Sequence, residues 1–346
     1  MPTIQSEALA AFVQDIFIAY GVPASKAETV AISLTLGNLK GHDSHGVIRV
    51  IEYVDWIAKG WIAPSAELEI VRETDSLLLV DGHFGFGQVI GREATALAIE
   101  KAKAGGVCVL SIRQSAHLGR IGEWAEMAAE EGLVCFSFTN THGGGVLVAP
   151  YGGRERRLSA NPLGAGAPLS NGEPLIMDFA TSTIAEGKMK VARAKGESVP
   201  AGCFVNAQGE MATDPEEYYA DPPGALLPFG GHKGYSLSLF ADILAGALSG
   251  AGCSKGEARV ANAMLAVFLD PKAFAGEAFF QQETEALVRR VKDCPTMSGV
   301  EEILVPGEPE AKTYAQRIQS GVTIEESTWA RLIHLAHERS VLIPEV

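Results

Sequence analysis

Residues 44–49, SHGVIR, place a hydroxyl, an imidazole and a guanidinium close together in the chain. We expect a helix that begins at Ser44 and brings His45 and Arg49 to one face, near its positive N-terminus. There Arg49 can form a bidentate pair with a carboxylate while His45 donates a further hydrogen bond. A salt bridge from Arg49 to Glu52 or Asp55 fits the same spacing, so both interpretations stay open.

The adjacent Ser44 and His45 do not form a pattern typical of serine hydrolases. Neighbouring residues on a helix point roughly 100° apart, because one turn takes about 3.6 residues. We therefore expect that the Ser44 hydroxyl and the His45 ring do not face each other as nucleophile and base.

His117 follows the β-rich run GVCVLSI and precedes a stretch with helical period. Strand ends that lead into helices are where α/β proteins place reactive side chains. Histidine takes and returns a proton near neutrality without special tuning, and a histidine that only fills the loop is the alternative. Arg120 lies three residues further on, where a shared helical face makes it a candidate anchor for a second substrate carboxylate.

Two further segments are candidate anion pockets. Residues 230–234 lead into a long helix, so free N–H groups, close backbone approach and a lysine meet at one helix start. A second pocket is expected where PLIMDFA runs into TSTIAEGKMK, with Thr181 or Ser182 capping the helix. An ordinary strand-to-helix turn is the alternative for both segments. The candidate residues of the first pocket are Gly231, His232, Lys233 and Gly234.

Residues 85–91, GFGQVIG, follow an apolar run and open a helix, but they do not match the dinucleotide fingerprint. That fingerprint has the spacing G-x-G-x-x-G and an acidic residue about 20 positions on. Here the third glycine comes one residue late, and the next strand ends near Ser111 and Arg113. The pattern favours a plain turn with tight helix packing, so we expect no Rossmann domain.

The composition excludes several classes of protein. The 346 residues exceed the usual size of one core, and a hydrophobic fraction of 47% supports a globular chain. The net charge of −14 disfavours nucleic acid and anionic membranes as partners. The five cysteines are scattered and form no CxxC pair, so we expect neither disulfides nor a zinc cluster. His334 and His337 lack an HExxH pattern, so we expect no metal site there. Without a signal sequence or membrane span, we expect a cytoplasmic protein.

The order of elements indicates a mixed α/β protein with helical ends. The first sixty or so residues have helical period, short β-rich runs alternate with a few helices from about Leu68 to Leu269, and the tail is helical again. Because few strands are separated by helices, we expect a mixed rather than a purely parallel sheet. The helical ends are expected to pack together.

Six segments occur in the order and at the intervals seen in the malate/L-lactate dehydrogenase-like (type 2) oxidoreductases. They are SHGVIR, SAHLGRIGEWAEMAAEEGL, NPLGAGAP, MDFATSTIAEGKMKVARAKG, LPFGGHKGYSLSL and ILVPGEPE. The chain resembles this family over nearly its whole length. HLGRIGEWAE and VAPYGGRERRL are most similar to the hydroxycarboxylate dehydrogenases within it.

The resemblance implies a fold and an assembly. It implies a non-Rossmann nicotinamide-binding domain, residues 71–304, with a large mixed, mainly antiparallel sheet. A helical domain from both chain ends, residues 1–70 with 305–346, stands beside it. The resemblance also implies a homodimer and NAD or NADP as the cofactor.

The resemblance further assigns roles to individual residues. It makes His117 the acid/base that exchanges a proton with a 2-hydroxy acid or 2-oxo acid, and Ser44, His45 and Arg49 the segment that binds the substrate carboxylate. Cofactor contacts fall on Asp178, Phe179, Ala180 and Lys233 with its flanking glycines. Arg120, Asn140 and His142 are candidate substrate contacts. The THGGG loop at 141–145, which contains His142, departs from the family pattern.

Two other functions stay open from the sequence. In one, the same pocket reduces a cyclic imino acid, a ketimine, as a branch of the family does. In the other, the chain is a catalytically silent protein that keeps the cofactor-binding fold. The sequence carries no readable motif that separates NAD from NADP or names the substrate.

Overall fold

The computed structural model describes residues 1–256 and 259–345. The helices are α1 (Ser6–Ala19), α2 (Ala24–Leu39), α3 (Arg49–Ala58), α4 (Gly87–Gly105), α5 (Gly122–Glu130), α6 (Glu186–Lys195), α7 (Pro215–Tyr218), α8 (His232–Ala241), α9 (Glu277–Lys292), α10 (Glu308–Ser320) and α11 (Glu326–Glu338). Single 3₁₀ turns span Asp43–His45 and Pro271–Ala273, and a π-helix, Asp242–Ala247, continues α8. Of the described helices, none is both long and apolar enough to cross a membrane.

The strands form one large sheet and two small ones. They are β1 (Thr3–Ile4), β2 (Glu69–Glu73), β3 (Leu77–Asp81), β4 (Val107–Ser115), β5 (Val134–Gly143), β6 (Leu163–Ala167), β7 (Leu175–Phe179), β8 (Phe204–Val205), β9 (Met211–Ala212), β10 (Ala225–Leu226), β11 (Val260–Leu269) and β12 (Val322–Thr323). The seven-stranded sheet has the order β2-β3-β4-β11-β5-β6-β7. Its β3–β4 pair is parallel and its other pairs are antiparallel, which confirms the predicted mixed, mainly antiparallel, non-Rossmann sheet.

Both ends of the chain share one hydrophobic core. β1 pairs with β12, with Thr3 opposite Thr323. The buried side chains of α1, α2 and α3 pack together with those of α11, among them Phe17, Leu34 and Leu332. The helical ends therefore pack together as the sequence indicated, while the exact domain boundaries stay a prediction.

A second core lies between one face of the large sheet and helices α4 and α5. Ile90, Ala94 and Ala98 recur every four residues along α4 and are fully buried, as the helical period requires. Trp124 on α5 packs into the same cluster. These helices hold the strand ends of β3 and β4, and therefore the loop that contains His117, in one position.

The predicted helix start at Ser44 is wrong, because α3 begins at Arg49. The Asn38 side chain accepts a hydrogen bond from the Val47 N–H at 2.8 Å, which holds an irregular turn at residues 43–48. A Cβ atom on Gly46 would lie 2.2 Å from the Asn38 side-chain oxygen, so this turn requires glycine. His45 and Arg49 consequently do not share the face of one helix.

Two other local predictions are corrected. α6 begins at Glu186, well after Thr181 and Ser182, and neither hydroxyl caps it. The Thr181 hydroxyl instead donates to the Ala160 carbonyl, and the Ser182 hydroxyl donates to the carbonyl of a residue two positions on. Arg120 lies in a non-helical segment before α5, so it cannot share a helical face with His117.

The start of α4 lies directly against the loop that follows β4. A Cβ atom on Gly87 would lie 2.1 Å from the His117 carbonyl oxygen, which leaves no room for a side chain. Further along, a Cβ on Gly91 would lie 2.6 Å from the Trp124 ring. The glycines of residues 85–91 therefore serve tight packing, as the sequence favoured.

We predict that Gly87→Ala destabilises the protein by about 1–3 kcal/mol, the usual cost of overpacking, because the methyl group collides with backbone. Gly105→Ala is the matched control in the same helix, since the nearest atom to its Cβ is 3.7 Å away. We expect that control to be neutral or stabilising by up to about 1 kcal/mol. Urea unfolding followed by tryptophan fluorescence measures both, and equal effects of the two changes would contradict this packing.

Candidate active site

The sheet and α4 fix His117 through its neighbours in the chain. The Ala116 N–H donates to the Gly85 carbonyl at 3.0 Å, just before α4. The Leu118 N–H donates to the side-chain oxygen of Asn262 on β11 at 2.9 Å. Because the residues on both sides are held, the His117 ring projects from a rigid backbone.

The ring of His117 is held at one nitrogen and open at the other. Its Nδ1 lies 2.7 Å from the hydroxyl oxygen of Tyr53 on α3, which also accepts a hydrogen bond from the Gln88 amide nitrogen at 2.8 Å. No described residue hydrogen-bonds to Nε2, and the ring is partly exposed. Nε2 is therefore the nitrogen available to a ligand. The sequence analysis missed Tyr53 and Gln88.

His45 and His117 come together although they are far apart in the chain. Their rings stack with centroids 5.5 Å apart and 20° between the planes. The Ser44 hydroxyl lies 3.0 Å from Nδ1 of His45, so the expectation that these two side chains cannot face each other is wrong. Both residues lie in the 3₁₀ turn Asp43–His45, outside any α-helix, so the α-helical geometry on which that expectation rested does not apply.

Arg49 lies beside the two histidines and is held from two sides. Its Nε donates to the Ser44 carbonyl at 2.7 Å, and its Nη1 donates to Glu52 at 2.5 Å. The salt bridge from Arg49 to Glu52, one of the two interpretations that the sequence left open, is therefore present. A Glu52 carboxylate oxygen also lies 3.8 Å from the Lys190 amine on α6. These contacts orient the guanidinium, and no described residue hydrogen-bonds to Nη2, which leaves it for an anion.

Burial and positive charge keep both histidines neutral. Burial first, and then the charges of Arg49 and His45, lower the pKa of His117 well below its ordinary value. Burial, followed by Arg49, lowers the pKa of His45 to about 3. Burial raises the pKa of Tyr53, so its hydroxyl keeps its hydrogen. At neutral pH the cluster therefore carries the positive charge of Arg49 beside two uncharged imidazoles.

The two predicted anion pockets lie side by side. The Phe229 N–H donates to the Thr181 carbonyl at 3.0 Å, and the rings of Phe179 and Phe229 meet edge to face with centroids 5.5 Å apart. Gly231, with φ of +63°, directly precedes the first residue of α8. The end of β7 and the start of α8 thus form one surface.

This surface fits an anionic ligand that carries a flat ring. A Cβ on Gly230 would lie 3.7 Å from the Lys233 side chain, an ordinary van der Waals contact, so this lysine packs against the turn. His232 and Lys233 are exposed, and 38% of Phe179 is accessible. The N–H groups of Lys233 and Gly234 at the start of α8 already donate to the Gly230 and Phe229 carbonyls, so they are not the free N–H groups that the sequence predicted. The Lys233 amine and the Phe179 ring could hold a phosphate-bearing cofactor.

Asp178 connects this surface to the loop of His117. One of its carboxylate oxygens accepts a hydrogen bond from the Gly122 N–H at 2.8 Å, at the start of α5. Burial raises the pKa of Asp178. On the other side, a Cβ on Gly187 of α6 would lie 3.0 Å from the Cβ of Ser44, so α6 closes against the turn that contains His45.

Arg120 is buried beneath the site rather than turned to solvent. Its side chain pairs with Glu126, which also binds the amine of Lys40 at 2.6 Å. The Nε and Nη1 atoms of Arg120 are buried and form no hydrogen bond with the described residues. Its closest partner is therefore a protein carboxylate, and a role as anchor for a substrate carboxylate stays a prediction.

The structure gives Asn140 and His142 different surroundings. The Asn140 amide nitrogen donates to Asp242 of the π-helix and to the Gly252 carbonyl, both at 3.0 Å, so this buried group is already engaged. His142 is partly exposed two residues later on β5, opposite Ala261. Contact of either residue with substrate stays a prediction.

The described residues contain no group of three or more side chains suited to a metal ion. Nε2 of His334 lies 3.3 Å from a carboxylate oxygen of Glu338 on the same helix, so His334 pairs with Glu338 rather than with His337. The cysteines of the described chain are free thiols.

The chain is similar to known proteins along nearly its whole length. The model of the family described as Malate/L-lactate dehydrogenase matches residues 4–333. L-lactate dehydrogenase of Cupriavidus necator H16 is 39% identical over 336 residues, which cover 96% of each chain. Hydroxycarboxylate dehydrogenase B of Escherichia coli K12 is 36% identical over 346 residues, covering 98% of this chain and 94% of that protein.

A solved structure that is named for a different activity has the same fold. Delta1-piperideine-2-carboxylate reductase from Pseudomonas syringae pvar. tomato matches with a TM-score of 0.85 at 32% sequence identity. The match covers 97% of this chain and 100% of that one. The fold is thus shared by proteins named for hydroxy acids and by one named for a cyclic imino acid.

We predict that the free energy of unfolding falls as the pH is lowered from about 6.5 toward 4. In that window the unfolded chain protonates His45, while the folded chain, with a pKa of about 3, does not. Stability then changes by up to about 1.4 kcal/mol per pH unit for such a histidine. His45→Asn should reduce this slope in urea unfolding measured from pH 4.5 to 7.5, whereas the exposed control His334→Asn should not. Identical slopes in the two variants would contradict the assigned burial.

Proposed function

The chain belongs to the malate/L-lactate dehydrogenase family, and on that premise we propose that it transfers a hydride between a 2-hydroxy acid/2-oxo acid pair and NAD or NADP. One observation carries the proposal. The His117 ring is held at Nδ1 by Tyr53, is open at Nε2, and stacks on His45 beside Arg49. A proton-exchanging group and a carboxylate anchor are the two parts that this reaction needs from the protein.

In the proposed reaction, Nε2 of His117 takes the hydroxyl proton when a 2-hydroxy acid is oxidised and returns it when a 2-oxo acid is reduced. Arg49 pairs with the substrate carboxylate, and His45 and Ser44 complete that anchor. Glu52 and the Ser44 carbonyl hold the guanidinium in place, which reduces the entropy that is lost when substrate binds.

The cofactor is proposed to bind along the end of β7 and the start of α8. Asp178, Phe179 and Ala180 line one side, and the turn before Lys233 lines the other, where the lysine amine suits a pyrophosphate. When bound there, the nicotinamide supplies the hydride chemistry that side chains cannot. Both NAD and NADP fit the proposal.

The charge of Arg49 couples substrate binding to the protonation of His117. In the free enzyme this charge contributes to the lowered pKa of the ring. A substrate carboxylate that pairs with Arg49 offsets the positive charge and raises that pKa. We infer that a 2-oxo acid binds together with a proton, which His117 then donates to the developing alkoxide.

Reduction of a cyclic imino acid is the second candidate, and the similarity to delta1-piperideine-2-carboxylate reductase favours it. Such a substrate also has a carboxylate for Arg49 and an unsaturated carbon next to it. His117 would then face a ring nitrogen instead of an oxygen. The same residues therefore serve either reaction, and only the substrate separates the two.

We also propose that the enzyme works as a homodimer, as the family resemblance implies. Apolar side chains on α8 and the π-helix that follows are exposed in the single chain. They include Leu239, Phe240 and Ile243. Exposed apolar side chains close together in the chain support contact with a second copy.

We predict that His117→Ala lowers kcat by roughly 10²–10⁴, the range for loss of a general acid/base, while NADH or NADPH still binds. Activity should be measured with both cofactors against a panel of 2-oxo acids and cyclic imines, by absorbance of the reduced nicotinamide. Cofactor fluorescence titration serves as the control for folding and binding. Unchanged turnover in the variant would refute the role of His117, and turnover of imines alone would select the second candidate.

We predict opposite pH dependences for the two directions. Since the pKa of free His117 lies well below 6.5, kcat/KM for 2-oxo acid reduction should fall about tenfold per pH unit between pH 6.5 and 8.5. The value for hydroxy-acid oxidation should stay nearly constant over that range, because the ring is already neutral. A reduction profile that is flat across this window would contradict proton donation by His117.

A further inference from the structure

Gln88 and Tyr53 are polar side chains with almost no contact to solvent, at 0% and 1% exposure. They join His117 in one chain of hydrogen bonds, from the Gln88 amide nitrogen to the Tyr53 hydroxyl and from there to Nδ1. Buried polar atoms are costly unless they are hydrogen-bonded. The amide oxygen of Gln88 is nevertheless buried without a partner among the described residues.

The direction of these bonds determines where the proton of His117 lies. A phenol has one hydrogen. Gln88 donates to the hydroxyl oxygen, and among the described residues the Tyr53 hydrogen has no other acceptor than Nδ1 of His117, so we assign it to that nitrogen. The neutral ring then carries its proton on Nε2. In this tautomer Nε2 can donate a hydrogen bond to a substrate, but it cannot take a proton.

Oxidation of a hydroxy acid requires the other tautomer. Nε2 must present a lone pair to the substrate hydroxyl, so the ring proton must lie on Nδ1 and be donated to the Tyr53 oxygen. The Tyr53 hydrogen then needs a new acceptor. A half-turn of the Gln88 amide brings its oxygen to that position, and this is the buried oxygen that otherwise has no partner.

We propose that Gln88 is a positioning residue that selects the tautomer of His117 through Tyr53. With the amide nitrogen toward the phenol, Nε2 carries the proton; with the amide oxygen toward the phenol, Nε2 is free to act as the base. In oxidation the hydroxyl proton then moves to Nε2, the electron pair of the C2–H bond leaves as hydride to the nicotinamide, and Nδ1 keeps its proton. This inference rests on the proposed function, because it concerns the same proton transfer.

A double-mutant cycle tests whether Gln88 acts through Tyr53. Gln88→Met keeps a similar shape without polar groups, and Tyr53→Phe removes the linking hydroxyl. We expect Gln88→Met to lower kcat for oxidation about tenfold with little change in KM, the effect of one lost hydrogen bond. In the Tyr53→Phe background it should have no further effect. Equal losses in both backgrounds would overturn the proposal, since Gln88 would then act by packing alone.

Gln88→Glu tests the tautomer of His117 directly, because a merely structural role of Gln88 would leave that tautomer unchanged. A carboxylate only accepts hydrogen bonds, so Tyr53 must donate to it and His117 must carry its proton on Nδ1. In protein labelled with ¹⁵N-histidine, the neutral ring should change from the Nε2–H pattern to the Nδ1–H pattern. Signals of His117 are identified by their loss in His117→Ala. The same nitrogen pattern in both proteins would overturn the proposal.

The pH profile gives a second readout for Gln88→Glu. The added negative charge raises the pKa of His117, so kcat/KM for oxidation should acquire a decline toward low pH that is absent from the unaltered enzyme. The His117→Ala variant distinguishes failure of the proposed function from failure of this inference alone. If that variant keeps its turnover, the proposed function fails together with this inference. If it is inactive while the effects of Gln88→Met and Tyr53→Phe simply add, only this inference fails.

Discussion

The hydrogen bond between Tyr53 and His117 is the interaction on which the site depends. Tyr53 lies on α3, in the core formed by the chain ends, whereas His117 lies in the loop after β4, against the large sheet. A distance of 2.7 Å between these groups requires that the helical part and the sheet be docked. The backbone of α4 at Gly87 also packs closely against the His117 carbonyl, which helps to fix the loop. The site is therefore a product of the whole fold rather than of one motif.

Charge is the second constraint on the site. Two imidazoles are partly removed from water beside a guanidinium, so both stay neutral and the positive charge remains on Arg49. Glu52 pairs with Nη1 of Arg49, whereas no described residue hydrogen-bonds to its Nη2. In the proposed function, a small carboxylic acid pairs with this nitrogen, and its negative charge raises the pKa of His117. The proposal thus links substrate binding and acid–base chemistry through Arg49.

The sequence predicted the features that have local signals. Strand and helix periods gave the mixed sheet, the glycine spacing excluded a Rossmann turn, and a histidine between a strand and a helix pointed to His117. Tyr53, Gln88 and Asn262 were missed, because each forms its hydrogen bond with a residue 35 to 144 positions away and lies within an element with an ordinary apolar pattern. The start of α3 was wrong for a related reason. The Asn38 side chain, on the preceding helix, accepts a hydrogen bond from the Val47 N–H. This bond stabilises an irregular turn where the local pattern predicts a helix.

The most direct test is a crystal structure of the enzyme with NADH and oxamate, an unreactive analogue of a 2-oxo acid. The account predicts that Nε2 of His117 lies about 2.6–3.2 Å from the oxygen on the central carbon, and that Arg49 pairs with the carboxylate. Tyr53 should keep its contact with Nδ1. An analogue whose central oxygen meets another group, with His117 turned away from it, would contradict the account.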